Sequence, residues 1–108
     1  MKTVREFLNE LAENLAPEAS QIIKDYLWSL AHNNDDWGEA VLNKPLTYTS
    51  FTVTVCHFAM GFAEKRYGQP DAKEMLNEII ESAFQLARML GFSASSILQI
   101  ELVSIIMP

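Results

Sequence analysis

The chain is poor in the residues that staple or break a fold. Its 108 residues include one cysteine, four glycines, four prolines and two histidines. A lone Cys56 cannot form an internal disulfide, which excludes a disulfide scaffold and fits a reducing compartment. So little glycine and proline excludes collagen-like and low-complexity chains. Bases are scarce too: eight Lys and Arg stand against fourteen Asp and Glu, a formal net charge of −6. Phosphate contacts need clustered Lys and Arg, so direct binding to DNA or RNA is disfavoured. No apolar run is long enough to span a bilayer. The most apolar stretch, Ile97 to Met107, is short and contains Gln99 and Glu101. The start, Met1 to Glu6, is charged, but no signal-peptide core follows, because Asn9, Glu10, Glu13 and Asn14 interrupt it. A soluble, cytoplasmic protein without a membrane partner is expected.

What is present is apolar and periodic. Hydrophobic residues make up 49% of the chain, enough for one real core, and one domain over residues 1–108 is expected. Thr3-x-x-Glu6 reads as a capping box ahead of Val4, Phe7, Leu8, Leu11 and Leu15 at helical spacing. Pro17 suits the first position of a second helix. Its stripe is Ile22, Ile23, Tyr26, Leu27 and Leu30, ending near Asn33-Asn34. Asp36-x-x-Glu39 predicts a short third helix to Leu42, stopped by Pro45. Pro70 is expected to open a long helix to Leu90 with Gly91 as its C′ residue, and Ser93 to cap a last helix to about Met107.

Two segments carry both signals. Residues 47–56 are β-branched and partly alternating, yet Phe51, Val55, Phe58 and Phe62 keep a helical rhythm, with Ser50 or Thr49 as the cap. Val53, Cys56, Met60 and Tyr67 form a second stripe, the pattern of a central helix packed on both sides. Residues 97–106 alternate over Leu98 to Leu102 but are apolar nearly all round. The expected fold is all-α, a compact bundle of five to six helices. The alternative is α+β, with strands near 47–56 and 97–106.

No pattern of catalytic chemistry emerges. Cys56 and His57 are adjacent, so on a helix they point about 100° apart and cannot act as a nucleophile–base pair. Neither His32 nor His57 has a Glu three residues before it, as bundle di-metal sites require. Asn33 to Gly38 fails as a calcium loop, because Trp37 and Lys44 fall at ligand positions. No nucleophile elbow, phosphate loop or dinucleotide fingerprint is found. The expectation is a protein that is not an enzyme and carries no metal or cofactor.

Charge and aromatics point instead to a partner. Glu6, Glu10 and Glu13 share one face of the first helix. Asp71, Glu74, Glu78 and Glu81 share one face of the long helix, opposite its core. Like charges at this spacing cost a few tenths of a kcal/mol per pair. That face is a solvated surface or a dock for a basic protein. Trp28 and Trp37 are candidate contact anchors. Small acidic chains without catalytic motifs are common among inhibitors of other macromolecules, such as toxin-immunity and phage anti-defence proteins. The C-terminal segment has more apolar residues than one core face holds. Ile97, Val103, Ile105 and Ile106 are therefore expected to contribute to a homodimer. A lesser alternative is a small apolar-ligand binder using Phe51, Phe58, Met60 and Phe62.

The stretch Leu86-Ala87-Arg88-Met89-Leu90-Gly91-Phe92-Ser93-Ala94-Ser95-Ser96-Ile97-Leu98-Gln99-Ile100-Glu101 resembles the helix-turn-helix core of the Cro/cI-like phage-repressor family. Leu86, Ala87, Leu90, Gly91, Ser93, Ser96, Ile97 and Glu101 stand where that pattern puts them. The resemblance implies a DNA-binding regulator over residues 86–101. The chain departs from it in offering Ala94, Ser95, Leu98 and Gln99, and no Lys or Arg, on the would-be recognition helix.

Overall fold

Thr3 accepts a hydrogen bond from the Glu6 backbone N–H at 3.2 Å, and the Thr3 N–H donates back to Glu6 Oε1 at 3.1 Å. This reciprocal cap starts α1 (Val4–Glu13) where the sequence predicts it. The Thr3 backbone and hydroxyl also hold the Glu6 carboxyl below its usual range. The computed structural model describes residues 2–33, 36–92 and 96–108, the side chains of residues 96 and 97 excepted. Its further helices are α2 (Pro17–His32), α3 (Asp36–Leu42), α4 (Tyr48–Arg66), α5 (Ala72–Met89) and α6 (Ser96–Ile106). Both ambiguous segments are helical, so the protein is all-α among the described residues, with six helices and only an isolated bridge between Thr3 and Pro45.

The chain divides into two units, Met1–Thr54 and Val55–Pro108, and α4 belongs in part to each. In the first, α1 buries Val4, Phe7, Leu8 and Leu11, α2 buries Ile23 and Leu30, and α3 buries Val41 and Leu42. Ile22, Tyr26 and Leu27 of the expected α2 stripe are half-buried. Phe7 meets Phe51 edge-on, with centroids 5.6 Å apart. The α3–α4 connection is tied to the N-terminus: Val4 N–H donates to the Lys44 carbonyl at 3.0 Å, and Leu46 N–H to the Lys2 carbonyl at 2.7 Å. Arg5 reaches Glu39 at 3.1 Å, and Lys2 pairs with Glu10.

The second unit buries Val55, Phe58 and Phe62 from α4, and Leu76, Ile79, Ile80, Ala83 and Phe84 from α5. From the C-terminal segment it buries Val103 and Met107. α5 ends in a Schellman turn. Gly91 sits at φ +98°, its N–H donates to Arg88 O at 3.1 Å, and Phe92 N–H donates to Ala87 O at 3.0 Å.

Three local expectations are corrected. α4 is capped by Thr47, one turn before Ser50: Ser50 N–H donates to Thr47 Oγ1 at 3.1 Å and Thr47 N–H to Ser50 Oγ at 2.8 Å. Serine here fills the role usually given to Glu. α5 begins at Ala72, because Pro70 lies in a turn and Asp71 adopts the left-handed region at φ 66°. The second stripe of α4 is not packed: Val53, Met60 and Tyr67 are exposed and Cys56 is half-buried. Asp36 lies inside the first turn of α3. Residues 34–35 before it and Ser93, the expected cap of the last helix, fall outside the described residues.

Burial pushes the Tyr26 phenol up, and its hydroxyl donates to the Thr54 carbonyl at 3.4 Å. A raised folded-state pKa means stability is full below the unfolded phenol pKa of about 10 and is lost as pH rises beyond it. Tyr26→Phe is expected to flatten that alkaline loss. Urea midpoints between about pH 9 and 11 read it, and an unchanged slope would assign the loss to other groups.

Candidate functional site

Residues 74, 78 and 81 recur every three or four positions, so the helical period sets them in one row along α5, whereas Asp71, expected on the same face, precedes the helix in the left-handed region and lies outside that row's periodicity. Leu76, Ile79, Ile80 and Ala83 turn the opposite side of the same helix into the core. Asp71, Glu74, Glu78 and Glu81 are all exposed. Glu74, Glu78 and Glu81 line a groove of about 470 Å³ with Asn77, Ser82 and Gln85. Glu81 accepts from Gln85 Nε2 at 3.3 Å. Among the described residues, no Lys or Arg pairs with any of the four carboxylates. The α1 acids differ. Glu6 is engaged by its cap and Glu10 by Lys2, so that face is partly neutralised locally.

Trp28 and Trp37 lie in the first unit and the four carboxylates in the second. Trp28 is 63% exposed and stacks on His32, with centroids 4.5 Å apart and planes 14° apart. The His32 Nδ1 lies 2.9 Å from the Trp28 carbonyl. The pair is an i, i+4 surface stack that holds the indole flat while leaving it accessible. Trp37 borders a second groove of about 470 Å³, with Val41, Lys44, Thr49 and Val53. The sequence reading missed this groove. Its walls come from separate helices, and only the Pro45 break hinted at the turn between them.

At the C-terminal segment, Val103, expected at a self-association face, is instead buried within the chain and Ile106 is half-buried, whereas Ile100 and Ile105 are 65% and 76% exposed. The side chain of Ile97 lies outside the described residues. The residues resembling a helix-turn-helix form α5, the Gly91 turn and α6. Gly91 is explained by its positive φ and Ala87 by its burial. The exposed positions of α6 include Ile100, Glu101, Ser104 and Ile105, with no cation to meet phosphate. Ala94 and Ser95 lie outside the described residues.

Burial raises the Cys56 thiol above its ordinary pKa, which lowers its thiolate fraction and makes it a poor nucleophile. Phe51, Phe58 and Phe62 are buried and Met60 is 58% exposed, so the first three act as packing. Among the described residues, no three of His, Cys, Asp and Glu converge on a possible metal position, and no helix is long and apolar enough to cross a membrane. No protein-family profile, no curated protein and no solved structure matches the chain.

Proposed function

We propose that this is a small, acidic, non-enzymatic binding protein of the cytoplasm that occupies a basic surface of another protein and so inhibits it. The observation that carries this reading is the α5 face. Glu74, Glu78 and Glu81 stay exposed and aligned along a groove, Asp71 is exposed just before the helix, and among the described residues no Lys or Arg pairs with any of the four. Repulsion within that row is relieved when a cationic surface covers it, which speeds encounter and selects the partner. The exposed Trp28 and Trp37 are the proposed anchors outside the acidic face.

Glu78→Lys/Glu81→Lys leaves the core side of α5 untouched, so helical circular dichroism should be retained. Immobilised wild type should capture a basic protein from nuclease-treated lysate, and the double variant should associate with it about tenfold more slowly at low salt. Equal association rates would remove the acidic face from the mechanism. Salt-sensitive retention on DNA would favour the runner-up, a helix-turn-helix regulator over residues 86–101.

The same reading includes a homodimer, supported by the exposed Ile100 and Ile105 on α6. Sedimentation of the protein alone tests it, and a monomer at tens of micromolar would remove it.

A further inference from the structure

We infer that the groove between α3 and the start of α4 binds a small monocarboxylate with an apolar body. The groove lies wholly within the first unit and is independent of the acidic face. Its volume of about 470 Å³ is that of a small-ligand site, and Trp37, Val41, Pro45 and Val53 give it apolar walls. Trp37 and Val53 are 39% and 43% exposed, so the walls are open to a ligand.

The charge of the ligand follows from Lys44. Among the described residues no carboxylate lines the groove, and Lys44 is the one lining residue with an ionic side chain. Among the described residues Lys44 has no acidic partner, in a chain where acids outnumber bases fourteen to eight. A single ammonium beside an apolar wall complements one carboxylate on an apolar body.

The backbone decides between a small molecule and a peptide. The N–H groups of Lys44, Leu46 and Thr47 already donate to Val41 O, Lys2 O and Ser50 Oγ. The carbonyls of Lys44, Pro45 and Thr47 already accept from Val4 N–H, the Ser50 hydroxyl and Phe51 N–H. A peptide main chain laid in the groove would find these groups taken. A small acid needs only the ammonium and the walls. The same bonds hold Lys44 and Pro45 in place before any ligand arrives, which limits the ordering cost of binding.

The test is an amide-resolved NMR titration of the full chain with 3-phenylpropionate, its neutral amide, and N-acetyl-Gly-Gly-Phe as a free acid. The acid should shift Trp37, Val41, Lys44 and Val53 saturably with a Kd of about 1 mM, and the amide should bind about fivefold more weakly. Lys44→Gln should weaken the acid by about fivefold and leave the amide unchanged. Val53→Asp, an exposed change, should abolish binding of both while the remaining spectrum stays folded. No saturation by about 20 mM, equal binding of acid and amide, or an indifferent Lys44→Gln would each overturn the proposal. So would tripeptide binding more than about tenfold tighter than phenylpropionate, which would make the groove a dock for a chain end.

Discussion

Gly38→Ala is expected to destabilise the protein by about 3 kcal/mol, even though alanine is the better helix former by about 1 kcal/mol. Gly38 is buried in α3, and a Cβ built there would lie 2.3 Å from the Leu30 carbonyl oxygen and 3.1 Å from the Leu30 Cα. Those are backbone atoms of α2, so no rotamer change can relieve the overlap. The two helices must separate, and the contacts of Leu30, Val41 and Leu42 loosen with them. Gly61 is the control. It also lies inside a helix, α4, but an added Cβ there meets nothing within 4 Å. Gly61→Ala should therefore stabilise by up to about 1 kcal/mol. Thermal melts should separate the two variants clearly, with Gly38→Ala lowered by about 15 °C. If both glycines respond alike, α2 and α3 do not approach as closely as the geometry states.

Phe7→Ala should cost about 3–5 kcal/mol, a large part of the stability of a chain this size. Phe7 is 1% exposed, and its ring meets Phe51, also 1% exposed, at an interplanar angle of 89°. Truncation leaves a cavity against a ring that α1, already fixed by its cap and by the ties from Lys2 and Val4, is poorly placed to refill. A double-mutant cycle with Phe51→Leu should show a coupling of about 0.5–1.5 kcal/mol. Urea unfolding reads both numbers. A Phe7→Ala cost below about 1 kcal/mol would mean the site collapses freely and that the edge-on pair is incidental.

Much of the helical layout was legible because its signals are local. Thr3 and Glu6 are three residues apart and cap each other with nothing else required. Gly91 ends α5 because the turn demands positive φ, a preference carried by the residue itself. The buried face of α4 was legible for the same reason, since Phe51, Val55, Phe58 and Phe62 follow the helical period that overrides their β-branched neighbours. The cap of α4 lies two or three residues before the Thr49 or Ser50 that the sequence favours. Its Thr47–Ser50 reciprocity lacks the usual Glu, and Ser50 also donates to Pro45 O at 2.9 Å, a bond that depends on how the loop turns.

The exposed row of Glu74, Glu78 and Glu81 on α5 needed only the helical period and the identity of three residues, so the sequence by itself determined it, whereas the choice of helix over strand near 47–56 and 97–106, and with it the all-α fold, came from the structure. Periodicity states which residues share a side of a helix. It does not state what stands opposite that side. Hence the apolar Val53, Met60 and Tyr67 read as a packed stripe and are in fact exposed, while Val103, grouped with an outer face, is buried. The close approach at Gly38 and the groove bearing Lys44 were decided only in three dimensions. Both depend on different elements meeting: Leu30 of α2 with Gly38 of α3, and Lys2 and Val4 with Leu46 and Lys44, which are far apart along the chain. Such pairs form only when the burial of several helix faces outweighs the entropy of closing the loops between them, a balance that no local window of residues contains.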